Sequence, residues 1–212
     1  MQQKFMFAAA SALLTIGAAA DAAVTVKIYT GQNVAAANAT IAQAAGLVAD
    51  ATVSVGAINF TNAPGNNSAA FTVGAFLNNP AGLSAAVANH VLNNTYFLFT
   101  GSTFLKSGAN SFVIPHDDGL QLKIDGIAGF IVDQPGPTSP VSTAFNVNAP
   151  ESGLYNFTLS YGETAGGPAV LRFDVNGAPV GRVPEPATWA MMVTGFGLVG
   201  FSVRRRTKMI TA

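Results

Sequence analysis

Apolar and polar positions alternate with a period of two through most of the chain. Residues 24–29 (Val-Thr-Val-Lys-Ile-Tyr) set the pattern. Residues 52–55, 58–60, 71–76, 96–100, 111–114, 120–124, 130–132, 142–147, 154–161 and 169–175 repeat it. Such alternation predicts β-strands with one buried face. Turn signals fall between them, among them Asp118-Gly119, Asp125-Gly126, Pro135-Gly136-Pro137 and Asn176-Gly177. Short strands so spaced predict a mainly β protein, an antiparallel sandwich or barrel. Two stretches leave the pattern: residues 34–49, Ala-rich with Ile41, Ala45 and Val48 at helical spacing, and residues 82–92. Each predicts a helix. Tyr96, Phe97, Phe99, Phe112, Phe145, Phe157 and Phe173 fall where core aromatics belong.

Both ends of the chain are apolar without alternation. Lys4, an apolar run over residues 5–20 and the small residues Ala20 and Ala22 follow the order of a secretory signal peptide, residues 1–22. Cleavage after Ala22 is expected, with Ala20 as the second choice. At the other end, Pro184-Glu185-Pro186 cannot be helical at its prolines. Residues 187–203 are then apolar and uncharged, and Arg204, Arg205, Arg206 and Lys208 follow at once. Seventeen residues at the helical rise give about 25 Å, the short limit of a transmembrane helix. The basic cluster at 204–208 would stay cytoplasmic by the positive-inside rule.

Pro184-Glu185-Pro186, Trp189-Ala190, a short apolar run and a terminal basic cluster together resemble the PEP-CTERM sorting signal in its PEPxxWA form. The resemblance covers residues 183–208. It implies signal peptidase and an exosortase as partners during export, and a transient stay in the inner membrane. Release to the cell surface or medium of an exopolysaccharide-producing host would follow. It is silent on what the exported part does.

Splitting the chain changes its charge. The formal net charge is zero, yet residues 23–183 carry five basic and eight acidic residues, a net −3, and the tail from Pro184 onward carries +3. All sixteen Asn lie in the exported domain, 23–182. Such a surface suits sugars or cations and offers no footprint for nucleic acid. With no Cys, disulfides, thiolate nucleophiles and zinc fingers are excluded. Two His leave little room for a His-based metal centre.

The residues richest in chemistry are His116-Asp117-Asp118-Gly119, followed by Leu122-Lys123-Ile124-Asp125-Gly126. A strand, a Ser-Asp-Asp-Gly turn and Leu-x-Ile-Asp-Gly are the centre of a PA14 domain, which this stretch resembles. Residues 153–163 and 169–173 are similar to its closing hairpin, so the likeness spans about 94–176. His116 departs from it, since Ser is usual there. In lectin-like PA14 adhesins, adjacent aspartates joined by a cis peptide hold a Ca²⁺ that contacts sugar hydroxyls. The resemblance implies that role for Asp117 and Asp118, with Asp133, Gln134 or Asn110 as candidates for further ligands. Ca²⁺ takes six to eight oxygens, and paired carboxylates supply the anionic part. The alternative is that Asp117 and Asp118 only cap and make a turn, without metal.

No nucleophile elbow or phosphate loop is present. His116 reads as a surface turn residue, and His90 has no evident partner. Asp117 could pair with Asp174 or Glu151 as in a glycosidase, but any eight acids supply such pairs. Tyr155 and Tyr161 could stack on a sugar ring or pack internally. Three functions therefore stand side by side: a non-enzymatic, calcium-assisted glycan-binding protein of the extracellular polysaccharide or biofilm matrix, a purely structural matrix protein, and a polysaccharide-processing enzyme.

Overall fold

Alternating residues such as Val24, Val26 and Ile28 put every second side chain on one face, and two such faces close on each other. In the computed structural model, residues 23–33, 39–61, 71–164, 168–181 and 194–196 are described. The strands are β1 (Val24–Tyr29), β2 (Ala51–Val55), β3 (Asn59–Phe60), β4 (Thr95–Leu105), β5 (Gly108–Asp117) and β6 (Leu120–Ile124). They continue with β7 (Val132–Gln134), β8 (Val141–Ala149), β9 (Gly153–Glu163), β10 (Val170–Arg172), β11 (Asp174–Val175) and β12 (Ala178–Pro179).

One antiparallel sheet has the order β2-β1-β4-β9-β6-β7, and the other has β12-β11-β5-β10-β3 with β8 on the free side of β5. The first sheet ends on β2 and β7, so the sandwich alternative holds and the barrel does not close. Phe97, Phe99, Phe157 and Leu159 of one sheet meet Phe112, Ile114, Leu171 and Phe173 of the other in one buried cluster. Phe157 and Phe173 make an edge-to-face pair at 5.4 Å across the gap. Burying each such ring contributes about 1.5–3 kcal/mol, which lets the core hold without disulfides.

Several expectations shift. Residues 71–76 are not a strand. Thr72 accepts from Ala75 N–H at 3.2 Å and caps a short helix, α1 (Val73–Phe76). Val73 and Phe76, three residues apart, share one face of that turn and are buried. Of the helix expected over 34–49, residues 34–38 lie outside the described residues. The rest contains only a 3-10 turn, Ile41–Gly46, with Val48 93% exposed. The 82–92 helix is one turn, α2 (Ala85–Ala88), capped by Ser84. The strand expected at 130–132 starts two residues later because Gly129 (φ 76°) turns the chain.

The two ends of the module meet. At Gly181 a Cβ would lie 2.6 Å from Val24 Cγ2 and 2.2 Å from Gly56 O, so the chain after β12 passes flush against the start of β1. The signal peptide at 1–22, with Ala20 and Ala22, lies outside the described residues, as do Pro184, Glu185, Pro186, Trp189, Ala190, Arg204, Arg205, Arg206 and Lys208. Of the run 187–203 only 194–196 are described, as helix. No helix among the described residues is long and apolar enough to cross a membrane.

Candidate functional site

β5 carries Asp117 at its last position, and β6 begins at Leu120, so Asp118 and Gly119 make the whole connection. Asp117 pairs with Val170 of β10, while Leu120 pairs with Tyr161 of β9. The connection therefore steps from one sheet to the other, and the peptide bond between Asp117 and Asp118 is cis. Gly119 has no positive φ, which sets it apart from Gly126 (φ 80°) in the next Asp-Gly pair. What Gly119 provides is closeness: a Cβ there would stand 2.1 Å from Pro135 O and 2.6 Å from Gly136 O.

Asp118, 5% exposed, is held on all sides. Its Oδ1 accepts from Thr138 N–H at 3.1 Å. Its Oδ2 accepts from Thr164 N–H at 2.8 Å and from the Thr164 hydroxyl at 2.5 Å. Three of about four carboxylate lone-pair sites are thus filled. Its main-chain carbonyl faces His116 Nδ1 at 2.7 Å.

Asp117 lies beside it under different conditions. Burial, then repulsion from Asp118, then a side-chain hydrogen bond with Asp118 together push its carboxyl up to about 7 from 3.8. No cation among the described residues offsets these causes. The only ion pair among the described residues joins Arg172 to Asp174 at 2.6 Å, elsewhere in the second sheet. The Asp117 carbonyl accepts from the Tyr161 hydroxyl, which also lies 3.1 Å from Glu163 Oε2. Tyr161 is fully buried, and its hydroxyl is pushed well above 10.0, first by burial and then by Glu163. Internal packing is thus its role, and Tyr155 likewise bonds back to Glu151 O at 2.9 Å.

The proposed further ligands separate. Asn110 sits at the opposite end of β5, bonded to Lys106 and Gly108, and does not reach the pair. Asp133 Oδ1 takes a bond from Gln121 Nε2 at 2.6 Å. Gln134 Oε1 is 3.1 Å from His116 Nε2. His116 is not a surface residue: it has no exposed area, because β10 and β8 flank it on both edges of β5. Asp174 is engaged by Arg172. His90 Nδ1 meets only the neighbouring Val91 O, at 2.7 Å.

Whether these residues fit Ca²⁺ can be judged from the donor set. Two adjacent buried carboxylates with no cation beside them are costly unless one is protonated or a cation binds. Hard oxygen donors of this kind match Ca²⁺. Among the described residues no group of three or more His, Asp or Glu side chains is placed to hold a metal. Completion of the shell would fall to carbonyl, amide, water or sugar oxygens.

Residues 182–206 match the PEP-CTERM protein-sorting motif. The chain carries a PEP-CTERM sorting motif. The PEP-CTERM tail implies exosortase-dependent export to the surface or beyond it. No curated protein matches the chain. Among solved structures, a PA14 sugar-binding domain from an RTX adhesin superposes with TM-score 0.55 and 17% identity, over 76% of this chain and 94% of that one. The PA14 domain of an antifreeze protein gives TM-score 0.55 and 16% identity, over 74% and 85%. The part ahead of the PEP-CTERM motif therefore has the PA14 fold.

Proposed function

We propose that this chain is an exported, exosortase-processed module of the extracellular polysaccharide or biofilm layer that contacts glycans through a cation held at Asp117 and Asp118, without catalysing a reaction. The observation that carries this reading is the pair of adjacent buried carboxylates with no cation beside them among the described residues, Asp117 being pushed up to about 7. Bound Ca²⁺ would supply a positive centre with open positions for sugar hydroxyls. Asp117, which shares a side-chain hydrogen bond with Asp118, would turn its carboxylate oxygens to the cation, and Thr138 and Thr164 hold Asp118 in one orientation. The adhesin domain that superposes on this chain is a sugar-binding domain, which agrees with this chemistry.

A structural protein without ligand is the second reading. It is favoured by the three protein hydrogen bonds that already occupy Asp118. Titration calorimetry of the full chain with Ca²⁺ separates the two. Binding by the wild type, weakened about tenfold or more in Asp117→Asn without a lowered melting temperature, is the expected result. Absence of heat in the wild type overturns the cation reading.

A further inference from the structure

The turn between β7 and β8 lies across the aspartates and is held at both ends. At its far end Thr138 N–H donates to Asp118 Oδ1 at 3.1 Å. At its near end Gln134 meets the His116 ring at 3.1 Å. Between them Pro135 O accepts from Ala39 N–H at 2.8 Å and overhangs Gly119. His116 is the link, because the same ring reaches Asp118 O through Nδ1 at 2.7 Å. A carbonyl oxygen only accepts, so Nδ1 donates to Asp118 O while Nε2 of the same ring faces Gln134.

We infer that His116 is a positioning residue: by joining Asp118 to Gln134 it makes the 134–138 turn a fixed wall of the aspartate site, and the site's grip on a cation depends on that tether. This rests on the cation reading above and extends it to a residue where a serine, too short to span both partners, would break the link. The buried ring excludes water from one side of Asp118, and the tether keeps the Thr138 donor on Oδ1. Loss of either end leaves the turn held over Gly119 by the Ala39–Pro135 bond and one remaining end.

The test uses Tb³⁺ as the probe on the full chain in mild detergent, because the Tyr161 hydroxyl, bonded to the Asp117 carbonyl, can sensitise its luminescence. Gln134 is exposed, so Gln134→Ala cuts the tether without disturbing the core. His116→Ser is the second variant. In Gln134→Ala and His116→Ser, Tb³⁺ affinity is expected to fall about tenfold. The luminescence lifetimes in H₂O and D₂O should report additional bound water, and the Thr138 amide should exchange faster. Unchanged affinity, hydration and Thr138 exchange in Gln134→Ala overturn the tether while leaving the cation reading intact. If the wild type takes up no Tb³⁺, the cation reading falls and with it the tether's role in metal affinity.

Discussion

Gly119→Ala isolates the closest backbone approach in the site. The added methyl would stand 2.1 Å from Pro135 O, 2.5 Å from Pro135 C and 2.6 Å from Gly136 O. Carbon and oxygen need more than 3 Å, so one backbone must retreat by about 1 Å. Neither is free to do so. Pro135 O accepts from Ala39 N–H at 2.8 Å, and Gly119 O accepts from Gly162 N–H at 3.0 Å. Overpacking of this kind costs about 1–3 kcal/mol, and losing one of the hydrogen bonds adds about 1 kcal/mol. The expected total is about 2–4 kcal/mol. Gly126→Ala is the matched control, since both glycines follow an aspartate. There the Cβ would find Tyr155 at 3.6 Å, an ordinary contact, and the cost is the left-handed φ of 80°, about 1–2 kcal/mol. Urea denaturation followed by far-ultraviolet circular dichroism measures both. The Thr138 amide, bonded to Asp118, should exchange faster in Gly119→Ala only. A Gly119→Ala variant no less stable than Gly126→Ala, with Thr138 exchange unchanged, would refute the close approach.

Other outcomes follow from the same geometry. Asp117 binds a proton more tightly folded (about 7) than unfolded (3.8), so its contribution to stability is complete below about pH 4 and is lost as pH rises through 7. Discounted for partial solvent access, the loss is about 2–4 kcal/mol, and melting temperatures across that window in EDTA should show it, with Asp117→Asn flattening the slope. Thr164→Val removes the 2.5 Å hydroxyl bond to Asp118 and should cost about 1.5–3 kcal/mol in denaturant unfolding. A cost under 0.5 kcal/mol would mean that this hydroxyl does not anchor the carboxylate. Replacing Pro184, Glu185 and Pro186 by alanine should leave the uncut chain in the membrane fraction. Tail-free protein in the medium of that strain would contradict the sorting reading.

The strands were legible in the sequence because each has one face on the core, and period-two alternation is that geometry written out. Residues 71–76 misled for a definable reason: Val73 and Phe76 suit a helical turn as well as a strand, and the capping Thr72 decided between them. Asp117 and Asp118 stood out through their family resemblance. Their partners did not, since Thr138 and Thr164 lie 20 and 46 residues from Asp118 along the chain and arrive only through sheet pairing. A threonine directly after a long alternating run, and a Pro-Gly-Pro turn, are the only local traces of them. His116 was misread as exposed because its neighbours spell a turn. Strand pairing on both of its edges, invisible in the local sequence, buries it.

The contact of Gly181 with Val24 gives the module a direction. Gly181, the last described residue before the sorting motif at 182–206, lies beside the β1 end that packs near Gly101. The aspartates hang from Thr164, just past the β9 end that pairs with Thr95. Six steps of β4 separate those rows, about 20 Å of strand. A module held from its C-terminal end would therefore present the aspartates at the far end of β4, like the hand of an outstretched arm.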